Sequence, residues 1–411
     1  MSGRPAKPVI VAFPFVGGFV GGSHLSAAKL IQNLDRGRYQ PLVVLHRPEG
    51  QVADLLRDGG IAFEPAPSER FLDGSSLRGD VGFVLTQTLR LARFLRRRGA
   101  RIVHTNDGRS HVTWALPTRL AGARLLWHHR KDPDARSLRY VAPWAADRVI
   151  SVSRFSAPRP GLLSPAQKCT VVHSPFDTDA PPVDRARARS TLLEELRCPP
   201  DARVVGFFGS LTARKRPLTF VDAVAEMRAR APDLPLAAPI FGQDREDLAL
   251  AISRRAAERG VADCVHVMGF RHPPEPWMAA CEVLLVPAVD EPFGRTLVEA
   301  MLLGTVVVAA ASGGNPEALR EGVTGHLVPA DDAVAFAERT LDLLADPARR
   351  GALADAARRD ALERFGLRQH AAAIMRVYDA MLSPQRADGN VGAAEHTHGG
   401  TEPAHEWTAP P

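Results

Sequence analysis

Short, unbroken apolar runs alternate with helical stretches twice along this chain, and nothing else in the sequence constrains the fold as strongly. The first series is VIVAF (9–13), PLVVLH (41–46), RIVHT (101–105), RLLWH (124–128), DRVISVS (147–153) and CTVVHS (169–174). The second is RVVGFFG (203–209), LPLAAPIFG (234–242), VHVMG (265–269), EVLLVPA (282–288), TVVVAAA (305–311) and GHLVP (325–329). A strand that is apolar on both faces must be covered on both, and helices between such strands supply the cover and impose parallel pairing. The pattern predicts an α/β protein with two doubly wound, Rossmann-like sheets. The proline-rich stretch 175–201 separates the two series and reads as an interdomain link. The expected division is an N-terminal domain over 1–178 and a C-terminal domain over 200–365. A closing helix over 366–383 should return to the first domain, and a tail over 384–411, lacking any apolar period, should be disordered.

Composition narrows the function. A net charge of +6 on 411 residues suits anionic small ligands or an acidic membrane surface and does not call for nucleic acid. Cys169, Cys198, Cys264 and Cys281 form no C-x-x-C pair and read as reduced thiols. The N-terminus lacks the apolar segment of a signal peptide, and no run approaches the ~18 apolar residues of a membrane span. A cytoplasmic protein is expected. Arg90, Arg93, Arg96, Arg97, Arg98 and Arg101, in the segment 83–101, could hold it at the inner face of a membrane. A solvated basic helix accounts for the same residues.

In doubly wound sheets ligands bind beyond the carboxyl ends of the strands. The turn after the first strand carries Gly17, Gly18, Gly21 and Gly22. No frame of it fits G-x-G-x-x-G, which argues against a dinucleotide dehydrogenase, yet it exposes backbone N–H groups ahead of a helix. His104, Asn106 and Asp107 follow RIVHT, and His128, His129, Arg130 and Lys131 close RLLWH. Both groups sit where an anionic or hydroxyl-bearing ligand would lie. Arg214, Lys215 and Arg216 cluster charge between a strand and a helix, without the G-K-[ST] of a P-loop. In EPFGRTLVEAMLLG (291–304), Pro292 holds Glu291 out of helical geometry, so a helix should open near Phe293 or Gly294. Its first N–H groups are free and attract a diphosphate. Glu299 is the only charged residue between Thr296 and Pro316. A carboxylate buried in such a run needs donors, which ligand hydroxyls could supply. Asp132-Pro133-Asp134 and Asp177-Thr178-Asp179 lie in proline-rich stretches and not directly after a strand. No metal site and no cofactor are expected.

Glu291-x7-Glu299 in EPFGRTLVEAM, followed by SGGNPEAL and TGHLVP, resembles glycosyltransferase family 4, retaining enzymes of the GT-B fold. The resemblance covers about residues 8–383. It implies two Rossmann-like domains facing across a cleft. A hexosyl-type sugar would pass from a nucleotide-diphosphate donor, UDP- or GDP-linked, to a hydroxyl on a glycan, lipid-linked or small-molecule acceptor. Cell-envelope polysaccharide, glycolipid or natural-product biosynthesis would be the setting. Gly21 and Gly22 would face the diphosphate and the sugar. His128 would stand beside the sugar at the reaction centre, with His129 a second claimant. Lys215, helped by Arg214, would hold phosphate, as would the N–H groups of Phe293, Gly294, Arg295 and Thr296. Glu291 would bind sugar hydroxyls, Glu299 the ribose, and Gly269, Phe270 and Arg271 the base. His104, Asn106, Asp107 and His129 would meet the acceptor. One departure is Gly209-Ser210-Leu211, where the family often has G-R-L. A sugar-nucleotide epimerase on a similar fold and a non-catalytic sugar-nucleotide or glycan binder are the competing readings.

Overall fold

The computed structural model describes residues 7–18, 20–72, 77–179 and 181–383, so the tail expected over 384–411 lies outside the described residues. The first half forms one sheet from β1 (Val9–Phe15), β2 (Tyr39–Leu45), β3 (Glu64–Pro65), β4 (Ala100–Thr105), β5 (Arg124–His129), β6 (Arg148–Ser151) and β7 (Cys169–Val171), in the order β3-β2-β1-β4-β5-β6-β7. The second half uses β8 (Arg203–Phe208), β9 (Leu236–Phe241), β10 (Val265–Gly269), β11 (Val283–Val286), β12 (Val306–Ala310) and β13 (His326–Val328), in the order β10-β9-β8-β11-β12-β13. Every pairing is parallel. Each sheet winds outward from its first strand in both directions. The direction in which strands are added therefore reverses between β1 and β4 and between β8 and β11, the switch points where doubly wound folds open a crevice.

Strand alternation divides each half into two cores. Val11, Phe13 and Phe15 of β1 pack with Ala27, Leu30 and Ile31 of the helix Gly22–Gln32, while Ala12 faces the Trp114 and Trp127 side. In β12, Val307 and Ala309 meet Leu297 and Met301, and Val306, Val308 and Ala310 meet Phe220 and Phe336. The helix Leu367–Leu382 buries Ile374, Val377, Tyr378 and Met381 in the first sheet's core. The chain crosses between halves at two adjacent points, where Phe176 N–H donates to Phe365 O at 2.9 Å.

The stretch 175–201 is more than a link. Its helix Arg185–Leu196 puts Leu192 and Leu193 into the second half's core, and Arg185 donates to Leu303 O at 2.6 Å and Cys281 O at 3.1 Å. The strand β3 is absent from the sequence reading because Glu64–Pro65 is two residues long and has no apolar run.

Candidate active site

The C-terminal wall begins where β11 ends. The chain turns through Asp290, at φ 50°, to Glu291. This turn rests on the glycine turn after β12. Gly314 N–H donates to Glu291 O at 2.7 Å, and Asp290 N–H donates to Ser312 Oγ at 3.0 Å. Glu291 is buried, with Oε1 ion-paired to Lys215 Nζ at 3.0 Å and 3.7 Å from Arg214 Nε, in a geometry that leaves the oxygen able to accept a further hydrogen bond. A buried carboxylate with spare acceptor capacity is costly and marks a place for a further donor. Lys215 closes a single 3-10 turn after β8, with its stem folded over Gly209.

The helix opening after Glu291 runs Arg295–Leu302 with Gly294 as its cap residue. A Cβ at Gly294 would stand 2.5 Å from Leu297 Cδ1 and 2.9 Å from Asn315 Oδ1, so glycine is what fits. Phe293 turns its ring inward, stacked on His173 at 5.0 Å, which anchors the helix start. Glu299 corrects the expectation of a buried carboxylate. Its side chain is 37% exposed and accepts from Arg295 Nη2 at 3.2 Å. Leu297, Val298, Ala300 and Met301 fill the buried face, leaving position 299 on the open edge of a helix of period 3.6.

The N-terminal wall is built from the ends of β1, β4 and β5. Gly21 caps the helix Gly22–Gln32, and a Cβ at Gly22 would lie 3.2 Å from Arg295 Cδ, so the glycine turn and the second-half helix meet. The Asp107 carboxylate is engaged in capping the helix Gly108–Ala121, accepting from the N–H groups of Arg109 and Ser110 at 2.9 Å each. Asn106 is buried at the cleft wall with Oδ1 unpartnered.

The two histidines exchange places relative to expectation. β5 extends to His129, and alternation sends His128 into the interior while His129 lines the cleft. His128 Nδ1 lies 3.1 Å from His104 Nε2 and 3.4 Å from Arg130 Nη2, and His104 Nδ1 lies 2.6 Å from Tyr378 Oη. His104 is therefore also behind the wall. Burial and the neighbouring Arg295 push Arg130 down to about 9, so it stays cationic at neutral pH.

These buried imidazoles predict an acid-sensitive fold. Burial lowers His46 to about 4 and His370 to about 3, and holds His104 and His128 well below the ordinary value. Arg130 is a second cause for His104, His128 and His370. Unfolded histidines take up protons near pH ~6.5 that the folded ones refuse, so stability falls as pH drops below that value. Each contributes about 1.4 kcal/mol per pH unit over its window. Calorimetry should show Tm falling steeply from about pH 6.5 towards 4; a flat profile would contradict neutral, buried histidines.

A cleft of about 770 Å³ lies between the walls. Gly22, Asn106, Asp107, His129, Arg214, Lys215, Glu291 and residues 293–296 line it. Gly21, His104, His128, Glu299 and Gly269, Phe270 and Arg271 lie outside that lining. Phe270 is exposed and Arg271 pairs with Glu195 at 2.5 Å. Four cations line the N-terminal wall: Arg109, Arg130, Lys131 and Arg136. Among the described residues none of these four has an ion-pair partner, whereas Arg214 and Lys215 face Glu291. Arg130 and Lys131 were visible beside the histidine pair. Arg109 and Arg136 carry no motif, and their one signal is a position shortly after the strand ends. Among the described residues no group of three or more His, Cys, Asp or Glu is placed to hold a metal ion.

Residues 202–346 match the family described as Glycosyl transferases group 1. D-inositol 3-phosphate glycosyltransferase from Thermobispora bispora is 34% identical over 384 residues, 89% of this chain and 83% of its own length. Its counterpart from Streptomyces avermitilis is 30% identical over 381 residues, 88% of this chain and 76% of its own. The crystal structure of Anabaena HepE in complex with UDP and glucose superposes with a TM-score of 0.73 at 23% identity, covering 90% of this chain and 99% of HepE. Two Rossmann-like domains of the GT-B type are thus shared with a solved structure. Identity of about a third over most of both sequences makes this chain an enzyme, a glycosyltransferase that belongs to the group 1 glycosyl transferases.

Proposed function

We propose that the enzyme transfers a hexosyl group from a nucleotide-diphosphate sugar to a hydroxyl of a phosphate-bearing polyol, with retention of anomeric configuration. The observation that carries this reading is the buried Glu291 carboxylate, held 3.0 Å from Lys215 Nζ at the opening of the helix Arg295–Leu302. The diphosphate rests against the first-turn amides, with Lys215 and Arg214 neutralising it, and Glu291 accepts from a sugar hydroxyl. Glu299, on the open helix edge, is left for the ribose. His129 takes the position beside the sugar, and His128 supports Arg130 from behind.

The bond from C1 to the diphosphate oxygen breaks as the bond from C1 to the acceptor oxygen forms on the same face. The acceptor proton passes to the departing diphosphate oxygen. Asp107 is tied to its helix cap, so among the described residues the cleft lining offers no second free carboxylate for a glycosidase-type double displacement. The protein contributes positioning and stabilisation of leaving-group charge. The four cations of the N-terminal wall, without ion-pair partners among the described residues, support an anionic acceptor, in line with the inositol phosphate in the relatives' names.

The test uses labelled UDP- and GDP-sugars with inositol, inositol phosphate and the same headgroup on a lipid, and nuclear magnetic resonance to read the product anomer. An α-linked donor should give an α-linked product, and transfer should require the phosphate. Lys131→Ala or Arg109→Ala should raise the acceptor KM about tenfold, the value of one charge-assisted hydrogen bond, with kcat little changed. Isomerised donor without transfer would favour an epimerase, and binding without turnover a binding protein.

A further inference from the structure

Away from the cleft, large apolar side chains stand in water on one face of the N-terminal domain. Leu162 is 100% and Leu163 61% exposed in the loop between β6 and β7, and Tyr140 and Trp144 are 62% and 65% exposed on the helices Arg136–Tyr140 and Ala142–Ala145. Four polar contacts knit these segments together. Lys168 Nζ donates to Pro143 O and Ala146 O at 3.0 Å, Arg159 pairs with Asp134 at 3.2 Å, and Arg119 Nη1 donates to Trp144 O at 2.9 Å. The face continues onto Leu116 and Leu120, both exposed on the helix Gly108–Ala121, and Arg96 donates to Leu120 O. Exposed arginines tied to this face are Arg96, Arg119 and Arg139. Asp134 is matched by Arg159, and Asp147 is turned inward to accept from Leu125 N–H.

Single apolar side chains on a surface are ordinary; a group of them, with Trp and Tyr among leucines and arginines around, is not. That composition fits a bilayer interface, where aromatic rings lie at headgroup level and basic side chains meet lipid phosphates. We propose that this face docks the enzyme on an anionic lipid bilayer, with Leu162, Leu163 and Trp144 entering the interface. A second copy of the chain fits less well, because face-to-face pairing would set these arginines against one another. Single-stranded nucleic acid binds by stacking on flat rings, which leaves two exposed leucines unused. The face adjoins the active site, since Arg136 and Ser137 line the cleft and Tyr140 stands one helical turn further on. A docked enzyme would open its cleft near the lipid surface.

The full chain is sedimented with phosphatidylcholine vesicles, with and without phosphatidylglycerol. Binding is expected with phosphatidylglycerol and little without it. Combining Leu162→Ser, Leu163→Ser and Trp144→Ala should lower partitioning at least about tenfold while Tm and UDP binding stay unchanged. The readout is sedimentation and not transfer, so it stands apart from the proposed reaction. A wild-type protein that stays in the supernatant, or a variant that sediments equally, would overturn the proposal. So would a dimer in analytical ultracentrifugation that the variant dissolves.

Discussion

Replacing Glu291 by Gln lowers sugar transfer by about a thousandfold, the scale seen when one preorganised polar group is removed from a reaction centre, while UDP binding is unchanged or slightly tighter. The substitution keeps shape and removes charge. In the free enzyme it deprives Lys215 of the partner 3.0 Å away, but a bound diphosphate supplies Lys215 with another. The loss therefore falls on the sugar, whose hydroxyl no longer meets a carboxylate. Were Glu291 only a favourable charge near a helix start, its removal would cost about 0.3–1 kcal/mol of stability and leave the rate alone. Initial rates with labelled donor, set beside UDP calorimetry, separate the two cases; full activity in Glu291→Gln would sink the assignment.

The expected site residues that lie in the cleft lining are mostly those fixed by backbone geometry. Pro292 keeps Glu291 out of the helix, Gly294 precedes the first turn, and Gly22 leads into a helix at the end of β1. Such positions follow from local rules. The misplacements come from phase. Resemblance alone puts His128 at the reaction centre, whereas alternation along β5 turns His128 inward and leaves His129 in the cleft lining. Glu299 stands in an apolar run of letters, yet four buried neighbours leave it on the open side of its helix. The strand runs announced two parallel sheets. They did not announce that the helix Arg185–Leu196 joins the second core, because a proline-rich flank masks its Leu192 and Leu193. The cationic wall was least legible of all. Arg109, Arg130, Lys131 and Arg136 leave two separate strand ends and converge only once β4 and β5 are paired.

A glycine should prove nearly as important as the carboxylate it supports. Gly313 has φ 59°, and an added Cβ would stand 2.5 Å from Glu291 N, 2.7 Å from Glu291 O and 2.9 Å from Asp290 C. All three are backbone atoms, which cannot swing aside as a side-chain tip can. Gly313→Ala must therefore displace the turn that carries Glu291 and weaken the 2.7 Å hydrogen bond from Gly314 N–H to Glu291 O. The backbone strain costs about 1–3 kcal/mol. Misplacing a reacting group by about 1 Å costs on the order of a hundredfold in rate, so transfer should fall by that factor. Gly322→Ala is the control. Gly322 has φ 69°, but a Cβ there meets nothing within 4 Å. It should cost about 1–2 kcal/mol, the penalty of a left-handed residue alone, and leave transfer intact. Calorimetric Tm and initial rates on both variants distinguish steric displacement from conformational strain. Equal activity in the two would mean that the glycine turn does not hold Glu291 in place, and that the carboxylate owes its position to Lys215 and Arg214 instead.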